Sequence, residues 1–112
     1  MSGQDLYKER EGIKKSLERS LLRAHDNGVD MAEKTRAYRQ ILAQTMLLLE
    51  SQGTKTTILK DLAKGKKEVA DAEFEMIVAE VKYKASNENI MAQKKLFESI
   101  ESDIKREWGQ NG

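Results

Sequence analysis

Apolar positions recur at helical spacing along nearly the whole chain, and the breaks in that pattern divide it into four segments. Leu6, Ile13, Leu17, Leu21 and Ala24 follow at intervals of seven, four, four and three, which places them on one stripe of a helix over about 4–25. Arg10 fills the long gap with Gly12 near it, so the first two turns are the looser part. Asp26-Asn27-Gly28 predicts a stop, because Asn and Gly tolerate the positive φ of a helix C-cap. A second helix is expected over 30–51, with Asp30 as N-cap and Glu33 at the capping-box distance. Its stripe is Met31, Tyr38, Ile41, Leu42, Met46 and Leu49, and Gln52-Gly53-Thr54 closes it. Two helices joined by so short a turn are predicted to pack as a hairpin.

A brief third helix over 57–64 carries Ile58, Leu59, Leu62 and Ala63, with Thr56 or Thr57 as its cap and Gly65 as its stop. Beyond Gly65 there is no Gly until Gly109 and no Pro at all. Residues 66–108 therefore read as one helix of roughly 65 Å. Its first half has the stripe Val69, Ala70, Phe74, Ile77, Val78, Val81 and Ala85; its second has Ala92, Leu96, Ile100, Ile104 and Trp108, with Phe97 alongside. Between them Ser86-Asn87-Glu88-Asn89 is polar and poor in helix propensity, and predicts either an exposed waist or a bend. The fold class that follows is all-α: a helical hairpin plus a short helix packed on a long C-terminal helix, in one domain. The long helix outruns each of the first two. Either these stack along it, or a second copy covers the remainder as a homodimer. Phe97, Ile100, Ile104 and Trp108 are the expected seam for packing or self-association, with Tyr38, Tyr83 and Trp108 as aromatic anchors.

Charge changes the functional picture more than the architectural one. Twenty Lys+Arg face nineteen Asp+Glu for a net +1, yet 35% of the chain is charged. A balance this close to zero argues against both a basic coat for nucleic acid and an acidic mimic of DNA. Acid and base alternate at helical spacing, as in Glu80 with Lys84 and Glu101 with Lys105, the pattern of solvated helix faces. Without Cys there are no disulfides and no thiolate metal sites. No apolar run is longer than that of Met46-Leu47-Leu48-Leu49, too short for a membrane, and the charged N-terminal stretch lacks the apolar core of a secretory signal. A cytoplasmic location in a bacterial cell is expected.

Candidate chemistry is sparse. His25, the one histidine, is expected at the end of the first helix, where its cation would favour the helix C-terminus. Asp26-Asn27-Gly28-Val29-Asp30 has the oxygen ligands of a calcium loop with the wrong spacing. Glu68, Asp71 and Glu75 share a helix face but lack the His that carboxylate two-metal sites require. Gly53-Thr54-Lys55-Thr56 and Gly65-Lys66-Lys67 both miss the phosphate-loop pattern. The chain therefore predicts no catalytic residue, no metal and no cofactor. The remaining signal is Lys55, Lys60, Lys64, Lys66 and Lys67, opposed only by Asp61. Such a bend suits an acidic protein surface or a phosphate; equally, its lysine stems can lie over Ile58 and Leu62 for solubility alone. No aromatic is interleaved with them and no recognition-helix pattern is present, so direct nucleic-acid binding is not favoured.

Ala32-Glu33-Lys34, Tyr38-Arg39-Gln40-Ile41-Leu42-Ala43-Gln44, Gly53, Thr57-Ile58, Asp61-Leu62-Ala63-Lys64-Gly65, Glu68-Val69-Ala70 and Glu107-Trp108 carry a resemblance. The chain from Ala32 to Trp108 resembles small all-helical accessory proteins of temperate phages and prophages of Gram-positive bacteria, of the early-region or anti-defence type. The resemblance implies a protein without an active site that acts by stoichiometric protein–protein binding. The implied partner is a nucleic-acid-handling enzyme of host or phage, with inhibition of a host defence nuclease, as anti-CRISPR proteins do, as the leading expectation. An accessory role in phage DNA replication or recombination and a structural coiled-coil adaptor are the alternatives. No functional residue carries over from it.

Overall fold

The computed structural model describes residues 3–111 and contains three helices, α1 (Gly3–Ser51), α2 (Thr56–Lys64) and α3 (Lys67–Asn111). No strand occurs among the described residues. The fold is all-α, and the long C-terminal helix packs against the N-terminal helix and the short α2.

The first departure from expectation is at Asp26-Asn27-Gly28. The helix does not stop there: α1 runs through all three, and Asp30 lies inside it as an ordinary helical residue, not as an N-cap. Glycine costs a helix interior about 1 kcal/mol relative to Ala, yet the buried stripe continues across it, through buried Ala24 to half-buried Asn27, Gly28 and Met31. Gly28 serves close approach instead of a turn. A Cβ built there would lie 3.1 Å from Cε1 of Tyr83, so the missing side chain is what admits the ring. The expected hairpin of two short helices over 4–25 and 30–51 is therefore absent, because both segments belong to the one helix α1.

α1 ends where predicted. Gly53 has φ +87, its N–H donates to Glu50 O at 3.0 Å, and Thr54 N–H donates to Leu49 O at 3.1 Å. This pair of bonds is a Schellman cap, which only a residue tolerant of left-handed φ completes cheaply. The N-cap of α2 is Lys55, which makes no side-chain capping bond, so the expected threonine cap is absent. Gly65 closes α2 in right-handed geometry, and Gly65 and Lys66 are the two residues between α2 and α3.

Packing divides the chain into two compact units, to both of which α1 and α3 contribute. One combines residues up to Asp26 with those from Lys84 onward. Here α1 and α3 run antiparallel, as contacts Arg10–Glu101 and Ser20–Asn89 require. Leu6, Ile100 and Ile104 form its apolar cluster, with Tyr7 and Ile13 against it. The inward positions of α3 are Ser86, Ile90, Gln93, Phe97, Ile100, Ile104 and Glu107, alternating steps of four and three that mark a coiled-coil seam. At Ser86–Asn89, where either a bend or an exposed waist is expected, the helix does not bend, and Asn87, Glu88 and Asn89 are exposed. The helix continues through it, Ser86 is buried, and Asn89 bonds to Ser20. Leu21 is exposed while its neighbour Ser20 is buried.

The second unit is Asn27–Tyr83. Its α3 segment turns Val69, Ala72, Met76, Ala79 and Tyr83 inward, and buried Tyr38 of α1 reaches Glu73 of α3. Leu59 and Ala63 of α2 cluster with Leu49, with Leu42 and Met46 packed against them. The expected stripe of α3 is corrected here. Val69 is buried, but Ala70, Phe74, Ile77 and Val81 are exposed and Val78 is half-buried. The helix carries two apolar faces. The seam takes the one that mixes small Ala72 and Ala79 with Val69, Met76 and Tyr83. No described helix is long and apolar enough to cross a membrane.

Candidate functional site

The lysines singled out in the sequence sit on and around α2, and the structure splits them. Lys64 approaches Glu73 at 3.8 Å and Lys67 bonds Asp71 at 2.7 Å. Those two cations are therefore engaged within the chain, and the ammonium of Lys67 is held above its usual pKa by the hydrogen bond to Asp71. Lys55, Lys60 and Lys66 are exposed. Lys55, the N-cap, stands in extended backbone ahead of α2, whereas Lys60 and Lys64 fall on a side of α2 away from Ile58 and Leu62. Ile58 and Leu62 are each 46% exposed although Leu59 and Ala63 between them are buried. Beside Leu62 a shallow cleft of about 270 Å³ is lined by Leu49, Asp61, Leu62, Gly65 and Lys66. This combination can seat an aliphatic side chain against Leu62 while Lys55 and Lys66 meet carboxylates.

Inside the same unit, Tyr38 joins Glu73 and Lys64. The buried phenol donates to the Glu73 carboxylate, and that bond, with burial and the negative charge behind it, raises the Tyr38 pKa above 10.0; Lys64 opposes the shift. Lys34 reaches Glu75 at 3.6 Å.

The other unit holds the residues expected as a self-association or packing seam. Ile100 and Ile104 are buried against Leu6, and Phe97 is half-buried. Trp108 is 65% exposed, and its indole N–H donates to the Tyr7 hydroxyl at 2.6 Å. The two rings, with Leu6 and Ile104, line a cavity of about 420 Å³. Arg10 stands 5.0 Å over the Tyr7 ring and pairs with Glu101 at 3.3 Å. Further along this unit, Asn89 Nδ2 and Gln93 Nε2 both donate to Ser20 Oγ, at 3.0 and 2.9 Å. Gln93 Oε1 is buried and makes no hydrogen bond among the described residues.

Other sequence candidates fall on exposed helix surface. His25 and Asp26 lie mid-helix, so the expected capping role of His25 has no helix end to act on. Asp71 and Glu75 pair with Lys67 and Lys34, and no cluster of His, Cys, Asp or Glu suited to a metal occurs among the described residues. The feature that periodicity assigned to the wrong side is the outward row of α3, where Phe74 is 67% exposed with Ile77 and Val81 on the same face. The signal for it was the coexistence of two apolar stripes on one helix. Comparisons of the chain with known protein families, with curated proteins and with solved structures found no match.

Proposed function

We propose that this chain is a binding protein that acts by stoichiometric contact with another protein, through the α2 surface formed by Ile58 and Leu62 with Lys55 and Lys66. The observation that carries the reading is the exposed aliphatic pair Ile58 and Leu62, with Leu62 and Lys66 lining one cleft. Aliphatic anchors supply the affinity of such contacts, and surrounding charge supplies orientation and association rate. The resemblance to phage anti-defence proteins supports a host nuclease as the partner class and inhibition as the outcome. Two lysines of the sequence cluster are satisfied within the chain, which leaves fewer cations for a phosphate backbone and favours protein over DNA.

The test mixes the full chain with a reconstituted RNA-guided nuclease and measures complex mass and DNA cleavage. The reading expects a complex of fixed stoichiometry and loss of cleavage, both abolished by Leu62→Glu with Lys55→Glu and Lys66→Glu. Cleavage unaffected at saturating protein refutes the inhibitory reading. A retarded band with duplex DNA alone that fades as salt rises would replace it with the DNA-accessory reading, because lysine–phosphate contacts release counterions.

A further inference from the structure

We propose that the cavity between the first turns of α1 and the last turns of α3 binds a small organic cation of the alkyl- or quaternary-ammonium class. It lies within the unit that combines residues up to Asp26 with those from Lys84 onward. Buried Leu6 and Ile104 give it an apolar base, and Tyr7 and Trp108 contribute two aromatic rings. Glu107 is the one charged group among its described lining residues. At about 420 Å³ it matches small-molecule sites, which are mostly apolar with a few polar groups that orient the ligand.

The sign of the electrostatics decides what the cavity can hold. Trp and Tyr rings carry a negative face and attract a cation placed over it. Trp108 stays 65% exposed, yet its indole N–H is tied to the Tyr7 hydroxyl at 2.6 Å. The two rings are thus held together before any ligand arrives. Glu107 adds a full negative charge. A Cβ built on Gly3 would lie 3.4 Å from Glu107 Oε1, which places the carboxylate beside the start of α1. No described Lys or Arg forms an ion pair with it. The start of α1 carries about half a positive charge, and antiparallel α3 brings its own negative end to the same place. The helix ends therefore offset each other and leave the carboxylate uncompensated. Two arginines of this end are already paired: Arg10, 5.0 Å from the Tyr7 ring centroid, with Glu101, and Arg106 with Asp103. Lys8 and Lys105 are exposed and outside the lining. An anion would meet Glu107 and two negative ring faces. A bare metal ion would lose hydration that this apolar lining does not replace. A cation whose charge is wrapped in methyl or methylene groups suits the rings, the carboxylate and the aliphatic base together. The site shares no residue with the α2 surface and does not rest on the reading proposed for it.

Trp108 is the only tryptophan in the chain, so its fluorescence reports on this site directly. Titration of the full chain with choline chloride should give a saturable change at or below about 10 mM. Neohexanol, the uncharged isostere in which carbon replaces the choline nitrogen, should bind about tenfold more weakly. Glu107→Gln should weaken choline binding by about fivefold. Tyr7→Leu, read by fluorescence, and Trp108→Leu, read by calorimetry, should each weaken it by about tenfold or more, with helical circular dichroism unchanged. A peptide carrying trimethyl-lysine presents the same group from a different source. Binding of the peptide no tighter than choline supports a free small molecule, and binding of the peptide alone overturns it. Three other results would also overturn the proposal: no saturable change with choline, neohexanol or tert-butylacetate (the anion of similar shape) binding as tightly as choline, or a Glu107→Gln protein that binds choline as tightly as wild type.

Discussion

Two valines on α3 offer a direct measurement of which face of the helix holds the fold together. Val69 is fully buried at 0% exposure and Val81 is 61% exposed, and both lie inside the same helix. Replacing each by Ala removes the same atoms and brings the same gain in helix propensity, about 0.5 kcal/mol. At Val69 the lost burial amounts to about 1.6 kcal/mol, from about 0.8 kcal/mol per methylene equivalent. A residual void of roughly 50 Å³ adds about 1.2 kcal/mol at about 24 cal/mol per Å³. Set against the propensity gain, Val69→Ala should cost about 2 kcal/mol. At Val81 less than half of the burial term exists to be lost, and the propensity gain nearly cancels it, so Val81→Ala should be close to neutral. Urea unfolding followed by circular dichroism, at low micromolar protein so that association does not contribute, reads both. The midpoint should fall by about 1 M for Val69→Ala and hardly move for Val81→Ala. Equal losses, or a larger loss at Val81, would refute the assignment of inward and outward faces.

Four further outcomes follow from the backbone and the buried phenol. Gly12 has nothing within 4 Å of an added Cβ, so Gly12→Ala should stabilise by about 0.5–1 kcal/mol in thermal or urea unfolding. Gly28→Ala should fall short of that gain by at least about 0.5 kcal/mol, because its Cβ meets Tyr83 at 3.1 Å and a packed ring yields at a cost; adding Tyr83→Ala should return the shortfall. Gly53→Ala should cost about 1 kcal/mol or more, since φ +87 is unfavourable for an L side chain. Tyr38, whose pKa is raised in the folded chain by its bond to Glu73, favours the folded state while it is protonated. That contribution is complete below pH 10.0, the ordinary value, and disappears as pH climbs through the folded pKa. Stability should therefore drop above pH 10 more steeply in wild type than in Tyr38→Phe, measured by urea midpoints across that range.

Helical class, the stop at Gly53 and the short α2 were legible because each rests on local chemistry: spacing, a left-handed cap and a two-sided apolar turn. The continuity of α1 was not, because Asn27-Gly28 carries the same local signal whether it ends a helix or admits an aromatic ring. Only Tyr83, distant in the chain, distinguishes the two uses. The face of α3 was misassigned for a related reason. Periodicity weights bulk, so Phe74, Ile77 and Val81 outweighed Ala72 and Ala79, whereas the seam selects residues by fit to the facing helix. Ser86 and Asn89 looked solvent-bound from their polarity, and it took Ser20 on the opposing helix to draw Asn89 into a bond. The lysines around α2 were legible as a cluster. Their division into engaged and open cations depends on Glu73 and Asp71, whose reach the local sequence does not reveal.

The antiparallel pairing of α1 with α3 also sets the order in which the chain can fold. Across the bend, Leu49 meets Leu59 and Ala63 with only a short turn to close. The polar contacts of the other unit join residues 69, 91 and 101 positions apart. Formed first, any of these would have to close a long loop, at about 0.6 kcal/mol for every doubling of its length. Folding is therefore cheapest when it starts with the contacts around α2, whose loops are the shortest. Opening runs the same path backwards: amides near Leu6 and Ile104 should exchange with solvent before those near Leu59 and Val69.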